Sequence, residues 1–429
     1  MNILIYTPFW MKGGIEKLIV HLTEFFYNTH RDDYNISILT ESVPDAKNQF
    51  AIPDNASVYF RNYSPFNKKN ESALREFVCR IDPDVIIVMG SSRAMYKIPR
   101  AIVGLPFPVI LSEHNSDTQI AKSFYNDFRF LNAVRNMADV NHILLDEYGT
   151  RFDNPDNIVV IHNPIPASPV HATSSIGNTN KIIHVGRYDM MQKQQDILVK
   201  SFSKIAGKYP DWEVHCYGND WRGGKEKLQA LISSLSLDKQ IFLHDVVNDV
   251  YPVLASGEIF AFPSAHEGFS LALGEALSCG MPAISFSDCP GMTSMIHNNI
   301  NGILVNGGVK NITGFANAMD KLMGDVDLRK EMSKKALSIA SAYSLEKFCG
   351  SWKALIDDTA KLKGKNKLLS LSEMEVNYVN LISTGYFFDE LAKLKRSLSN
   401  VLFMKKILSK YKLLKPTYFL FSKVRKILR

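Results

Sequence analysis

Short apolar runs alternate with longer amphipathic segments through the first half of the chain. The apolar runs read NILIYT, NISILT, DVIIVMG, PVILSEH, NHILL and NIVVIH. Between them, segments such as IEKLIVHLTEFFYN and SALREFVCRI have the apolar spacing of amphipathic helices. Alternation of strands with helices predicts βαβ units and a parallel sheet that is covered on both faces.

A stretch without hydrophobic period follows, NPIPASPVHATSSIGNTN, and it is rich in Pro, Ser, Thr and Asn. Such a composition is typical of a linker. A second strand series starts at KIIHVGR and continues with WEVHCYG, IFLHD, IFAFPS and PAISF. We therefore predict an α/β protein with Rossmann-like domains at 1–165 and 181–343 and a linker at 166–180. Ligands of such sheets bind at the carboxyl ends of strands, so the interdomain cleft is the favoured site.

Beyond the second domain the strand–helix alternation stops. We assign 344–365 to a crossover helix region and 366–429 to a helical tail. The whole chain of 429 residues has a net charge of +7, yet residues 391–429 hold twelve Lys or Arg and no Asp or Glu. The preceding 390 residues therefore carry −5, the difference between +7 and +12. The basic character belongs to the tail and indicates a local anionic partner.

The tail also has a helical apolar face opposite its cations. That face holds Met404, Ile407, Leu408, Tyr411 and Leu414. This pattern predicts an interfacial helix on an anionic membrane surface, where each cation contributes roughly 1 kcal/mol. The alternatives are a helix docked on the domains and a dimerising element. Nucleic acid is not expected as a partner, because the rest of the chain is net acidic and no known reader module occurs.

Two further features bear on the compartment. Five dispersed cysteines without a CxxC pair fit reduced thiols in the cytoplasm. The segment MNILIYTPFW reads as a strand and not as a signal peptide, and no apolar window reaches about 18 residues. We expect a cytoplasmic protein that lies peripherally on the inner face of the cytoplasmic membrane.

Three groups of residues suggest chemistry at the predicted strand ends. Gly13 and Gly14 follow the first strand, where glycine permits positive φ and close approach of a ligand to the backbone. A plain loop is the alternative, and neither GxGxxG nor the P-loop pattern occurs. In HVGRYDMMQK, Arg187 follows Gly186 directly after the strand end, and Lys193 comes six residues later, before a helix. Two cations there could hold a diphosphate, although they could also be ordinary surface charge.

The third group is HEGFSLALGEALSCGMP, which places Glu267 in a turn and Glu275 in the helix that follows. Backbone N–H groups of Gly268, Phe269 and Ser270 are predicted to point outward from the same turn. Each glutamate alone fits an ordinary role, Glu267 as an acid near a helix N-terminus and Glu275 as a solvated helix residue.

The chain resembles the retaining GT-B glycosyltransferases of glycosyltransferase family 4 over about residues 1–360. The resemblance lies in the order of three motifs: the glycine pair, then GR…K, then two glutamates separated by seven residues (E-x7-E). The resemblance implies a nucleotide-sugar donor in which Glu267 contacts the sugar hydroxyls, assisted by the nearby amides, and Glu275 binds the ribose. It also implies that Arg187 and Lys193 stabilise the diphosphate, while the loop at 13–14 approaches it from the other domain.

His114 in LSEHNSD ends a strand of the first domain. In family members a histidine there lies near the anomeric carbon and the acceptor, and its role as base or as hydrogen-bond orienter stays open. The SEHNSD loop looks like the corresponding part of N-acetylgalactosamine transferases that act on lipid-linked oligosaccharides. One departure concerns Gln194, because many members have glycine after the lysine, so the turn conformation is less certain.

No metal or other cofactor is expected. Asp82-Pro83-Asp84 superficially matches a metal-binding DxD pattern but reads as a helix-to-strand turn, and no His/Cys cluster offers a zinc site. We expect a glycosyltransferase that moves a hexose or N-acetylhexosamine from a UDP-sugar to a lipid-linked, lipopolysaccharide or capsule glycan. The rivals are a GT-B enzyme with a soluble acceptor and a non-catalytic GT-B scaffold at the membrane.

Overall fold

The computed structural model describes residues 1–10, 13–31, 33–42, 56–61, 68–90, 95–114, 128–145 and 155–377. The first half forms a seven-stranded parallel sheet in the order β3-β2-β1-β4-β5-β6-β7. Its strands are β1 Asn2–Phe9, β2 Asn35–Ser42, β3 Ala56–Phe60, β4 Val85–Gly90, β5 Val109–Glu113, β6 Val140–Ile143 and β7 Ile158–Val160. Its helices are α1 Gly14–Thr29, α2 Lys68–Ile81, α3 Lys97–Ala101 and α4 Phe128–Arg135.

The second half forms a six-stranded parallel sheet in the order β10-β9-β8-β11-β12-β13. Its strands are β8 Lys181–Val185, β9 Glu213–Tyr217, β10 Ile241–His244, β11 Ile259–Ala261, β12 Ala283–Phe286 and β13 Gly302–Val305. Its helices are α5 Gln195–Ser203, α6 Gly224–Ser234, α7 Tyr251–Ala255, α8 Leu271–Ser278, α9 Pro290–Thr293, α10 Ile312–Gly324, α11 Val326–Ala336 and α12 Ile339–Ala342. The predicted pair of Rossmann-like domains is confirmed.

Central strands are apolar on both sides because each sheet is covered on both faces. β4, VIIVMG, is buried at all six positions, which explains why its sequence is a continuous apolar run. Helix starts are set by side chains that accept hydrogen bonds from the first turn. Asn311, Asp325 and Ser344 cap the helices that begin one residue later, and Ser270 caps α8 in the same way.

The chain crosses between the domains twice, and the two crossings lie side by side. After β7 it enters the second domain at Ile165, whose N–H donates to the carbonyl of Tyr343 at 2.7 Å. Just beyond Tyr343, helix α13 Leu345–Ala360 returns to the first domain. Phe348 and Trp352 of α13 are buried in the first domain's core beside α1. The crossover region therefore belongs structurally to the first domain.

The segment 166–180 packs on the second domain. The N–H of Ala172 donates to the carbonyl of Cys279 at 2.7 Å. Farther along, the carboxylate of Glu258 accepts from the N–H groups of Gly177, Thr179 and Asn180 at 2.7–2.8 Å. Arg329 pairs with that carboxylate at 2.9 Å, and both side chains are fully enclosed. This network makes the linker an ordered part of the second domain.

The start of the predicted tail lies against the first domain. Asn366 donates to the carbonyls of Leu105 and Phe107, and Leu368, in the short helix α14 Lys367–Ser370, is buried in the core there. The predicted amphipathic helices of the tail fall at 378–429, outside the described residues. No helix within the described residues is long and apolar enough to span a bilayer.

The DxD-like segment is the predicted turn between α2 and β4. Asp84 accepts from the N–H of Asn2 at 2.8 Å, and Lys363 pairs with Asp82 and Asp84 at 2.9 and 3.1 Å. These carboxylates sit at the amino edge of the sheet, opposite the edge where ligands of such sheets bind. They hold the returning chain to the first domain.

Candidate active site

The carboxyl edges of the two sheets meet through α1 and α8. Gly14, the first residue of α1, lies so close to the second domain that a Cβ on it would be 3.5 Å from a methyl of Leu271, the first residue of α8. Three residues along α1, Lys17 pairs with Glu275 of α8 at 2.9 Å. The starts of both helices therefore border the interdomain cleft.

Positive φ is not the reason for the glycine pair. Gly13 has φ −132° as the N-cap of α1, and Gly14 is helical, so the expectation of a left-handed backbone there is wrong. A Cβ on Gly13 would fall 2.4 Å from a carboxylate oxygen of Glu16, so a larger residue there would require the Glu16 side chain to shift. Burial raises the pKa of Glu16 to about 7. The space beside Gly13 is therefore occupied by a buried carboxyl group.

Arg187 projects from the turn after β8 and is held in place from two sides. Its guanidinium donates to Asp189 at 3.1 and 3.2 Å and lies 5.0 Å from the ring centre of Trp221. The turn is tight, because a Cβ on Gly218 would overlap the carbonyl oxygen of Gly186. The Arg187 side chain stays 39% exposed, so its orientation is fixed while its charge faces solvent. This suits a diphosphate contact.

Asp189 builds the turn that leads to Lys193. Its carboxylate accepts from the backbone N–H groups of Met191 and Gln192 at 3.0 and 3.2 Å. Its backbone carbonyl accepts from the N–H of Lys193 at 2.7 Å. Burial alone would raise the pKa of Asp189, but these hydrogen bonds and the charge of Arg187 outweigh it and leave the pKa below its usual range. Asp189 therefore stays ionised and orients both cations.

Lys193 and Glu267 form an ion pair at the centre of this edge. Their Nζ and Oε1 atoms are 2.6 Å apart, with the side chains only 15% and 9% exposed. The ammonium also lies 4.9 Å from the ring centre of Phe262. The pair joins residues 74 positions apart in the sequence, so the two motifs meet in space.

Gln192 connects Arg187 to the same turn. Its side-chain oxygen accepts from Arg187 at 2.5 Å, while its amide nitrogen donates to the carbonyl of His266 at 3.2 Å. Its own carbonyl accepts from the N–H of Ala265 at 2.8 Å. Sequence reasoning missed Gln192 and Asp189, although both lie inside the GRYDMMQK segment that already carried Arg187 and Lys193.

Gln194 adopts the left-handed conformation, with φ 51° and ψ 42°, directly before α5. Glycine would take this positive φ without steric cost, so the backbone at this position favours glycine. The residue is 4% exposed. In the orientation that satisfies both of its polar atoms, its amide donates to the carbonyls of Pro263 and Val309 at 2.9 and 2.7 Å. Those bonds offset the backbone strain, so the turn forms without glycine.

The turn at 267–270 leads into α8. Ser270 is its N-cap, and its Oγ accepts from the N–H of Leu273 at 3.3 Å. The N–H groups of Phe269 and Ser270 make no hydrogen bond within the described residues. The Phe269 side chain is buried between His162 and Tyr343, so only the backbone of Phe269 can contact a ligand. Gly268, between Glu267 and Phe269, has no side chain. Free N–H groups at a helix start favour an anion or an oxygen acceptor.

Glu275 lies apart from the Lys193–Glu267 pair, one helical turn into α8. Its partner is Lys17 of the first domain, and both border a small interdomain cavity. His21, Pro164 and Leu271 contribute to the same lining. A ribose hydroxyl that donates to Glu275 would have to share this carboxylate with Lys17 or displace the Lys17 ammonium from it.

His114 follows β5 at the carboxyl edge of the first sheet. Its ring Nε2 lies 2.9 Å from the hydroxyl of Ser112. Its backbone N–H donates to the side-chain carboxylate of Glu113 at 3.0 Å. Burial, with a smaller effect of His142, lowers the pKa of His114 to about 3. The imidazole is therefore neutral near neutral pH.

Residues 171–338 match the family model described as glycosyl transferases group 1, a span that contains Arg187, Lys193, Glu267 and Glu275. An uncharacterized glycosyltransferase of Haemophilus influenzae is 25% identical over 355 residues, which cover 80% of this chain and 96% of that protein. The predicted enzyme class, a glycosyltransferase, is confirmed by these two matches.

Two further similarities bear on fold and substrate. The N-acetylgalactosamine-N,N'-diacetylbacillosaminyl-diphospho-undecaprenol 4-alpha-N-acetylgalactosaminyltransferase of Campylobacter jejuni is 28% identical over 193 residues, covering 44% of this chain and 51% of that protein. The structure of Anabaena HepE in complex with UDP and glucose superposes with a TM-score of 0.69 at 17% identity, covering 83% of this chain and 99% of that one. The predicted GT-B fold is confirmed.

Proposed function

We propose that the protein is a retaining glycosyltransferase that moves a hexose or N-acetylhexosamine from a UDP-sugar to a lipid-linked, lipopolysaccharide or capsule glycan. The observation that carries this proposal is the enclosed Lys193–Glu267 ion pair beside Arg187 at the start of α8. A carboxylate and two cations lie in two neighbouring turns, together with the N–H groups of Phe269 and Ser270, which have no partner among the described residues. This combination suits a ligand that has both hydroxyls and a diphosphate.

Each group has a distinct part in this proposal. Glu267 accepts hydrogen bonds from the donor-sugar hydroxyls, and Glu275 binds the ribose. Lys193 and Arg187 neutralise the diphosphate as it leaves, the moment when its negative charge grows. The turn at Gly13–Gly14 approaches the donor from the first domain.

The reaction exchanges one bond for another at the anomeric carbon. The bond from that carbon to the phosphate oxygen breaks, and a bond to the acceptor oxygen forms on the same face. The acceptor hydroxyl gives its proton to the departing phosphate, so UDP leaves as the second product. The residues described act by orientation and by charge stabilisation, and no metal or other cofactor is required.

The acceptor class is supported by two observations. The Campylobacter relative is named for transfer to a diphospho-undecaprenol substrate. The basic, amphipathic stretch at 400–429 suits an anionic membrane surface, where lipid-linked glycans lie. We propose a cytoplasmic protein bound peripherally to the inner face of the cytoplasmic membrane.

A donor panel tests the proposal. Purified protein is mixed with UDP- and GDP-sugars and a lipid-linked acceptor, and the products are read by mass spectrometry. We expect transfer from a UDP-sugar that Glu267→Gln abolishes, whereas Glu226→Gln, an exposed carboxylate in the first turn of α6, leaves it unchanged. Transfer to soluble sugars but not to the lipid-linked acceptor would identify an enzyme with a soluble acceptor. Absence of both turnover and nucleotide binding would favour a non-catalytic scaffold.

A further inference from the structure

A chain of polar groups lies behind His114 in the first domain. The Ser112 hydroxyl is 2.9 Å from His114 Nε2 and 2.8 Å from His142 Nδ1. His142 Nε2 is in turn 2.9 Å from the carbonyl oxygen of Ile161. Three hydrogen bonds therefore run in series from His114 through Ser112 and His142 to a backbone carbonyl.

The far end of this chain fixes its direction. The Ile161 carbonyl can only accept, so His142 Nε2 must carry a proton. Burial is the largest influence on His142 and lowers its pKa to about 4, so the ring is neutral and its Nδ1 holds a lone pair. His142 is fully buried, which leaves no water to supply another partner.

The hydrogen bonds of Ser112 determine which ring nitrogen of His114 carries the proton. Its single hydroxyl proton must go to His142 Nδ1, because otherwise two lone pairs would face each other at 2.8 Å. The Ser112 oxygen then accepts from His114 Nε2–H. Since the His114 ring is also neutral, its Nδ1 carries no proton.

That Nδ1 atom is enclosed and has no hydrogen-bond partner among the described residues. A buried acceptor without a donor costs free energy, so its persistence calls for an explanation. His114 lies at the carboxyl edge of the first sheet, the same edge that carries the Gly13–Gly14 turn toward the second domain. A ligand hydroxyl entering from the cleft would supply the missing donor once the groups that cover Nδ1 move aside.

This series of hydrogen bonds, the relay from His114 to the Ile161 carbonyl, is held by two strands and a helix. Ser112 on β5 and His142 on β6 are directly paired in the parallel register, so both side chains leave the same face of the sheet. Trp352 of α13 packs on the His142 ring at 4.8 Å between ring centres. The His142 ring cannot turn over without disturbing this packing.

We propose that Ser112 and His142 are positioning residues that hold His114 as the Nε2–H tautomer and keep Nδ1 as an acceptor for a substrate hydroxyl. In this state His114 cannot donate from Nδ1 to a phosphate oxygen. The identity of the hydroxyl as one from a sugar substrate rests on the proposed function, whereas the tautomer does not.

The tautomer is tested on the full chain without substrate by ¹⁵N NMR of the histidine rings, since protonated and unprotonated ring nitrogens have distinct shifts. We expect wild type to show His114 protonated at Nε2 only. Ser112→Ala should lose this preference and Ser112→Thr, which keeps a hydroxyl, should restore it. Ser285→Ala, which removes another fully buried strand serine in the second domain, should leave His114 unchanged. A wild-type His114 protonated at Nδ1, or an unchanged Ser112→Ala spectrum, would overturn the proposal.

Kinetics separate positioning from stability. With the donor and acceptor found in the panel, Ser112→Ala should lower kcat on the order of tenfold while UDP affinity and the unfolding midpoint stay close to those of Ser285→Ala. A loss of kcat that follows the unfolding midpoint in both variants would mean a structural role and refute positioning. If no donor is turned over, the proposed function fails, and the NMR result still decides the tautomer.

Discussion

Replacing Gln194 by glycine should destabilise the protein, although the backbone there has positive φ. The left-handed conformation costs a residue other than glycine roughly 1 kcal/mol, and glycine removes that cost. The same change deletes two amide hydrogen bonds to the carbonyls of Pro263 and Val309, each contributing about 0.5–1.5 kcal/mol. The expected net loss for Gln194→Gly is about 1 kcal/mol.

Gln194→Ala separates the two contributions. Alanine loses both hydrogen bonds and keeps the strained backbone, so it should be less stable than the glycine variant by about 1 kcal/mol. Ser236→Gly is the matched control, because Ser236 also has positive φ (59°) but is exposed and makes no side-chain hydrogen bond within the described residues. It should be neutral or slightly stabilising.

The assay is urea unfolding of all four proteins under one set of conditions, followed by circular dichroism. The expected order of stability is wild type and Ser236→Gly, then Gln194→Gly, then Gln194→Ala. A Gln194→Gly protein more stable than wild type would show that the amide bonds contribute less than the strain costs. Equal midpoints for the glycine and alanine variants would show that position 194 carries no strain.

Four further outcomes are expected. Glu258→Gln should cost about 3–5 kcal/mol in urea unfolding, because Arg329 is left as a buried charge without a carboxylate; a loss below about 1 kcal/mol would show that the pair is dispensable. Burial lowers the pKa of His184 to about 4 against an unfolded value of about 6.5, so its contribution is fully present above the unfolded pKa and is lost as pH falls toward the folded one. Unfolding midpoints compared at pH 7.5 and 5.5 should therefore fall less in His184→Gln than in wild type, and equal falls would contradict this assignment. Glu275→Ala should weaken UDP binding by calorimetry, and an unchanged affinity would remove Glu275 from the ribose site. Deleting residues 400–429 should release the protein from vesicles containing anionic lipid while circular dichroism stays unchanged, and retained binding would place the anchor elsewhere.

Hydrophobic pattern was enough to predict both sheets, because a covered parallel sheet requires continuous apolar strands such as VIIVMG. The motifs also predicted that 187–193 and 267–275 lie at strand ends. Their meeting at the Lys193–Glu267 pair is a consequence of β8 and β11 being neighbours, which spacing along the chain does not state.

Other features depend on contacts between distant segments and left no local signal. Lys17 reads as an ordinary helix residue, yet it pairs with a carboxylate 258 positions away. Ser112 and His142 sit in two apolar strands, and only the β5–β6 register brings them together. The glycine pair shows the reverse error, because the sequence suggested backbone freedom where the structure has a crowded carboxyl group.

The hydrogen bond from Ile165 to Tyr343 ties together the only two places in the described residues where the chain passes from one domain to the other. The two connections are therefore joined at this point and cannot separate there without breaking the hydrogen bond. Phe269, two residues from Glu267, packs against Tyr343 at 5.2 Å. Separating the two connections at this point would therefore disturb a side chain only two residues from Glu267.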